Sequence, residues 1–97
     1  MHFLLIAHDH PGQPERRQNA RAAHLALAER LAEEGTLVHA GALLDNDGAM
    51  VGSALVYQTE SREALDTLLK DEPYIQQDVW RDVQITEYRP APFFTGA

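Results

Sequence analysis

The stretch "NARAAHLALAERLAEEG", residues 19–35, has the pattern of an amphipathic helix with a histidine on its apolar face. Its apolar positions recur three and four residues apart, as they do on the buried face of a helix. They are Ala20, Ala23, Leu27, Ala28 and Leu31. His24 lies among them, where a leucine would pack better. Two explanations are open at this point: a core histidine with both ring nitrogens hydrogen-bonded, or an imidazole kept there for its chemistry.

The segments on either side complete an alternating order of strands and helices. The first helix is predicted from about Glu15 to Glu34, with Gly35 placed to end it. Strands are predicted at residues 2–8 ("HFLLIAH"), 36–44 ("TLVHAGALL"), 49–58 ("AMVGSALVYQ") and 82–89 ("DVQITEYR"), a second helix at 61–71 ("SREALDTLLKD"), and a helical turn within 73–80 ("PYIQQDVW"). The order βαββαβ predicts an α+β, ferredoxin-like fold, a single domain over residues 1–97 with a four-stranded antiparallel sheet and both helices on one face.

The predicted sheet has apolar residues on both of its faces. Leu55 and Val56, for example, are neighbours on one strand and therefore point in opposite directions. The helices cover one face only, so we expect a homodimer whose sheets pack face to face. The tail "PAPFFTGA", about residues 90–97, carries Phe93 and Phe94, and we expect it to pack on the partner subunit. The alternative is a frayed terminus.

Composition narrows the classes of partner. The chain has 97 residues, with 8 Lys and Arg against 15 Asp and Glu, and a formal net charge of -7. This balance argues against nucleic acid and anionic membranes, because phosphate binding depends on clustered positive charge. The absence of cysteine excludes disulfides, thiolate nucleophiles and Cys-based zinc sites. The apolar run at the amino terminus is too short for a signal sequence, so we expect a soluble cytoplasmic protein without membrane contact.

His24 is the first candidate for chemistry. A histidine oriented by a carboxylate forms the usual general acid/base unit, and it needs a partly buried setting to hold its geometry. The predicted fold can bring three carboxylates close to it. They are Asp71, Glu72 and Asp9.

Two further groups of residues are candidates for binding. Arg16, Arg17 and Arg21 lie in the first turns of the helix, where cations are unfavourable, so an anion is a candidate ligand there. The alternative is a solvated face with surface ion pairs. His8 and His10 could share one strand face and ligate a metal, but a closed set of four ligands is not visible, and we expect no metal site.

Several motifs together match one known family. They are Asp9 after the first strand, "RQNARAAHL" at residues 17–25, Ala40-Gly41, Gly52-Ser53, and Pro73-Tyr74 before the last strand. On these the chain resembles the YCII family, over almost its whole length. The resemblance implies a dimeric α+β barrel with a ferredoxin-like fold. It also implies an active site formed by the histidine that matches His24 and an acidic residue nearby.

The resemblance implies a type of reaction as well. Many members of the family have no established activity, and one branch resembles dehydrochlorinases that remove HCl from chlorinated hydroxyhydroquinones. Such chemistry needs a base, a group that holds the phenolate and a dry pocket, and it needs no cofactor. His24 is then the base, with Glu72 or Asp71 as its partner and Asp9 next in line. The candidates for substrate binding are Arg17, Arg21, Ser53 and Tyr74.

The chain departs from the family pattern in two places. The family usually has Asp directly before the Pro-Tyr pair, and here that place is Glu72, with Asp71 one residue earlier. Many members have a glycine before the last strand, where this chain has Asp78. We expect a lyase or isomerase acting on a small hydroxylated ring, chlorinated in one branch, or on a lactone. The alternative is a non-catalytic domain that binds a small molecule without converting it.

Overall fold

The chain folds in the predicted βαββαβ order. The computed structural model describes residues 1–95. Its elements are β1 (His2–Asp9), α1 (Pro14–Glu33), β2 (Leu37–Leu44), β3 (Met50–Gln58), α2 (Arg62–Leu69), α3 (Pro73–Gln76), β4 (Trp80–Tyr88) and α4 (Pro92–Thr95). The strands form a four-stranded antiparallel sheet in the order β2-β3-β1-β4. This is the ferredoxin-like α+β arrangement, so the predicted fold class is confirmed.

The pairing of β1 with β3 sets one row of side chains beneath the helices. Leu5 pairs with Leu55 and Ala7 with Ser53, and all four residues are buried. The core is completed by Phe3, Ala20, Leu31, Leu37, Tyr57, Leu65, Leu69, Tyr74, Val79 and Trp80. Ser53 is the polar member of this row, so strand alternation places a hydroxyl in an otherwise apolar layer.

Helix α1 buries polar side chains as well as apolar ones. Its buried residues are Arg17, Ala20, His24 and Leu31, which share one face of the helix. Ala23 was expected on this face, and that expectation is wrong, because Ala23 is exposed. It lies one residue, about 100° of rotation, away from His24. Helix α1 therefore faces a polar site over part of its length and an apolar core over the rest.

Strand β4 begins earlier than predicted. It starts at Trp80, two residues before the expected start at Asp82. An irregularity between His8 and Asp9 shifts the register of β1, so that Asp9 pairs with Trp80. The pairing lengthens β4 at its amino-terminal end. The buried side chain of Trp80 then lies within hydrogen-bond distance of Ser53 on β3.

The backbone at Asp78 adopts a conformation that glycine favours. Asp78 has a φ of 55°, in the left-handed region that glycine favours and that Asp tolerates better than most residues. Its carboxylate contacts His10 and Arg16. These contacts, with His10 the larger contributor, hold the pKa of Asp78 below its usual value. The carboxylate of Asp78 is therefore bound by two neighbouring side chains on the surface.

The face of the sheet without helices carries a shallow apolar groove. The groove is lined by Val38, His39, Val56, Tyr88, Pro90 and Phe94. In helix α4, Phe93 and Phe94 are 81% and 77% exposed. The last part of the predicted tail, residues 96–97, lies outside the described residues. No helix within residues 1–95 has the length and apolar character needed to cross a membrane.

Gly52 allows β1 and β3 to approach closely beside Ser53. A Cβ atom at this position would overlap the carbonyl oxygen of Ala7 and would lie 3.0 Å from Cδ1 of Leu43. Gly41, on the neighbouring strand β2, has open space where its Cβ would be. The close approach of β1 and β3 at Gly52 therefore depends on glycine having no side chain.

We predict that Gly52→Ala lowers the free energy of unfolding by about 1–3 kcal/mol, because the strands must separate to admit the methyl group. For a domain of this size, each 1 kcal/mol lowers the melting temperature by about 4–8 °C. Gly41→Ala is the matched control and should change the free energy of unfolding by no more than about 0.5 kcal/mol. Thermal unfolding of both variants is the measurement, and equal melting temperatures would contradict the prediction.

Candidate active site

A cavity of about 200 Å³ lies between α1 and the sheet. It is lined by Arg17, Arg21, His24, Leu25, Ala28, Ala40, Gly41, Ala42, Met50, Ser53, Leu55 and Tyr74. Most of these side chains are apolar, and the polar ones come from α1, β3 and α3. The cavity thus brings together His24 and all four residues that were predicted to bind substrate.

Glu72 is the carboxylate that contacts His24. Its Oε1 atom lies 2.5 Å from Nδ1 of His24, and the two residues are only 2% and 8% exposed. Glu72 is also the N-cap of α3, where Oε1 accepts a hydrogen bond from the backbone N–H of Tyr74 at 3.1 Å. The carboxylate is therefore fixed by the backbone of the turn that follows it.

The other two candidate carboxylates lie elsewhere. Asp71 is exposed, one residue before the cap. Asp9 accepts a hydrogen bond from Nε of Arg17 at 2.7 Å. Of the three carboxylates proposed for His24, the structure brings only Glu72 to it. Glu72 therefore supplies the carboxylate at the imidazole.

The His24 ring is bound through one nitrogen and open at the other. An ionised carboxylate can only accept, so Nδ1 carries the proton that it donates to Glu72. Within residues 1–95, Nε2 has no hydrogen-bond partner and is not sealed from solvent. The ring stacks on Tyr74 with centroids 3.8 Å apart and planes 9° from parallel. The explanation of His24 as a core histidine required partners for both nitrogens, and only one is paired here.

Arg17 links three elements at the floor of the cavity. Its Nε donates to Asp9 at 2.7 Å, and its Nη2 donates to Gly52 O and to Ser53 Oγ at 2.6 Å each. The guanidinium carbon lies 4.7 Å from the centroid of the Tyr74 ring. Arg17 is thus buried, paired with a carboxylate and tied to β1, β3 and α3 at once.

Ser53 lies at the centre of a second set of contacts. Besides Arg17, the indole Nε1 of Trp80 donates to Ser53 Oγ, at 3.2 Å. The Trp80 ring also meets Tyr74 edge to face, with centroids 5.7 Å apart. Sequence reasoning missed Trp80. The available signal was a tryptophan beside the buried end of a strand, where an indole N–H needs a partner.

The two remaining arginines of the first turns have different surroundings. Arg16 forms an exposed ion pair with Asp78, with Nη1 2.6 Å from Oδ2. Arg21 lines the cavity and makes no ion pair with any residue in the described part of the chain. Arg21 is therefore the cation whose charge faces the cavity without a carboxylate beside it.

Tyr74 keeps its hydroxyl proton at neutral pH. Burial raises the pKa of Tyr74 above its usual value, and the nearby Arg17 and Arg21 only partly oppose this effect. The hydroxyl lies 3.5 Å from Nη1 of Arg17. Tyr74 therefore offers the cavity a neutral ring and a protonated hydroxyl.

The histidines of the "HDH" segment are separated by their partners. His8 Nδ1 lies 2.9 Å from Asp82, and His10 Nε2 lies 3.1 Å from Asp78. Across residues 1–95, no three His, Asp or Glu side chains come together as a set of metal ligands. These side chains make exposed hydrogen bonds with carboxylates at the end of the sheet.

Comparison with solved structures places this fold among known ones. It is similar to a 5-chloro-2-hydroxyhydroquinone dehydrochlorinase from Burkholderia phenoliruptrix, solved in complex with 2,5-dihydroxybenzoquinone. The TM-score is 0.83, the sequences are 24% identical, and the match covers 96% of this chain and 98% of that one. At this identity the likeness establishes the fold.

Comparison of sequences identifies the family. Protein YciI of Escherichia coli is 30% identical over 95 residues, which cover 92% of this chain and 97% of that protein. An uncharacterized protein of Haemophilus influenzae is 28% identical over 95 residues. The model of the YCII-related domain matches residues 1–89. The chain therefore belongs to the YCII family.

Proposed function

We propose that this protein is an enzyme that moves protons on a small hydroxylated ring, as a lyase or isomerase without a cofactor. One observation carries the proposal. Nδ1 of His24 is held by the buried carboxylate of Glu72, Nε2 has no partner within residues 1–95, and the residue lines a largely apolar cavity. A base fixed in this way, beside a cavity that can hold a ligand, is what general acid/base catalysis requires.

His24 supplies both the base and the acid. Its Nε2 lone pair takes a proton from a ligand hydroxyl, and the resulting imidazolium is stabilised by Glu72. The same Nε2–H then returns the proton to a ring carbon. Because both residues are buried and Glu72 is held by the Tyr74 backbone, the pair keeps its geometry throughout.

The cavity fits a single ring. A cavity of about 150 Å³ is enough to hold benzene, and the cavity here is about 200 Å³. Leu25, Ala28 and Leu55 provide apolar walls. Arg21 supports an anionic oxygen, because its guanidinium has no carboxylate partner within residues 1–95.

Elimination of HCl is the reaction that we propose for this site. The dehydrochlorinase of similar fold is named for 5-chloro-2-hydroxyhydroquinone, and we propose a substrate of that class here. A hydroxyl proton moves to the ring carbon that bears chlorine, which gives a keto form. Loss of a second hydroxyl proton then breaks the C–Cl bond, and chloride leaves with its electron pair. The product is a hydroxyquinone, and no external electron acceptor is needed.

The direct test is turnover by the purified protein. 5-Chloro-2-hydroxyhydroquinone should yield chloride and a quinone, measured by ion analysis and absorbance. Muconolactones are tested in parallel, as candidate substrates for an isomerase. Binding of these compounds without any product would support the alternative, a binding domain, and would reject the enzyme.

We predict that Glu72→Gln lowers kcat by about 100-fold or more, because a neutral amide does not stabilise the imidazolium. The amide oxygen can still accept from the Tyr74 N–H, so the turn should be kept. Asp71→Asn is the matched control, since it removes an exposed charge one residue away, and its kcat should stay within about twofold of the wild type. Equal small effects of the two variants on kcat would contradict the role of Glu72.

We propose further that the protein is a homodimer joined through the helix-free face of the sheet. The support is the apolar groove on that face, which includes Val38, Val56 and Tyr88, and the exposed rings of Phe93 and Phe94 beside it. Large aromatic side chains are enriched in the centres of protein interfaces and are seldom left in solvent as an adjacent pair. A second copy of the chain would cover both features at once.

A chain that ends at Pro90 should therefore form a weaker dimer. Removal of Phe93 and Phe94 should raise the dimer Kd about tenfold or more, measured by sedimentation. Val83→Thr is the control, because Val83 is an exposed apolar residue that pairs with Ala7 and so points to the opposite face. A monomeric wild type at micromolar concentration, or an unchanged Kd after truncation, would reject the interface.

A further inference from the structure

The Ser53 hydroxyl has both of its lone pairs occupied. A hydroxyl group has one proton to donate and two lone pairs that accept. Nη2 of Arg17 donates to Ser53 Oγ at 2.6 Å and Nε1 of Trp80 donates at 3.2 Å. Neither a guanidinium nor an indole N–H can accept a hydrogen bond. Ser53 can therefore act only as a donor.

The Ser53 proton has no acceptor in the part of the chain that the structure describes. Arg17 and Trp80 are the hydrogen-bond partners of Oγ, and both are donors. The residue is 3% exposed and lines the cavity beside His24. A buried hydroxyl left with a free proton loses part of its hydrogen-bonding energy unless a ligand accepts it. The hydroxyl is therefore available to donate to a ligand in the cavity.

The cavity consequently presents two groups of opposite polarity. In the neutral ring with its proton on Nδ1, which Glu72 accepts, Nε2 of His24 is an acceptor. Ser53 is a donor, with the Arg17 charge behind it. A ligand that satisfies both groups must carry a hydroxyl on one side and an acceptor oxygen on the other.

We propose that Arg17 and Trp80 fix the Ser53 hydroxyl as a donor, so that the site selects a ring with a hydroxyl for His24 and a carbonyl or ionised oxygen for Ser53. Trp80 does not line the cavity, and it acts as a positioning residue through Ser53. The inference rests on the proposed function and narrows its substrate to the singly ionised form. An ionised oxygen is favoured over a neutral hydroxyl, because charge-assisted hydrogen bonds are about twice as strong.

The test uses 4-nitrocatechol, a ring with two hydroxyls whose absorbance distinguishes its neutral and singly ionised forms. The full-length protein is titrated at a pH where the free probe is mainly neutral. The wild type should bind the probe in its singly ionised form. Ser53→Ala should weaken binding about tenfold and shift the bound spectrum toward the neutral form.

Trp80→Phe tests the positioning role, since it keeps an aromatic ring and removes the N–H. It should weaken binding about threefold to tenfold in the wild-type background and should have no further effect in the Ser53→Ala background. An equal loss in both backgrounds would show that Trp80 only supports the fold, and it would overturn the positioning role.

Two results would overturn the proposal that the site selects an acceptor oxygen. The first is that Ser53→Ala binds the ionised probe as tightly as the wild type does. The second is that the wild type binds the probe in its neutral form or does not bind it. Turnover of the chlorinated substrate is measured separately. Binding that depends on Ser53 without turnover would therefore reject the enzyme and keep this inference.

Discussion

The hydrogen bond between His24 and Glu72 is the constraint on which the site depends. It joins the middle of α1 to the cap of α3, and both partners are buried. Burial of a carboxylate is costly unless its oxygens are bound, and here Nδ1 of His24 and the Tyr74 N–H both reach the same oxygen. One contact thereby sets the position of the short helix, the orientation of the imidazole and the stacking of Tyr74 on it.

Arg17 extends this constraint to the sheet. It is neutralised by Asp9 and donates to Gly52 and Ser53, so the end of β1 and the middle of β3 are held at fixed distances from α1. Gly52 makes the approach of the strands possible, because a side chain there would overlap β1. Several polar groups of the cavity are therefore positioned by hydrogen bonds within the protein. Such preorganisation is where catalytic sites obtain much of their effect.

Local pattern was sufficient for the fold and for the burial of His24 on one face of α1. The helical spacing around His24 and the βαββαβ order predicted the helix face and the sheet, and the position of Glu72 before Pro73 gave one of its three candidate partners. The choice among those partners depended on the cap of α3, which no spacing reveals. Trp80 was not predicted because it contacts Ser53, which is 27 residues away in the sequence. Its pairing with Asp9 also follows a register shift in β1 that no local pattern indicates. Ala23 was misplaced since a stripe of alanines does not define the centre of a helix face.

Nitrogen-15 NMR of the histidine rings at neutral pH tests the central claim most directly. The account predicts that His24 carries its proton on Nδ1, in a strong hydrogen bond to Glu72, with an unprotonated Nε2 that responds to ligand. In Glu72→Gln the Nδ1 proton signal should lose the downfield shift that a carboxylate partner produces. A proton found on Nε2 of His24, or on both nitrogens in the free protein at neutral pH, would contradict its assignment as the base.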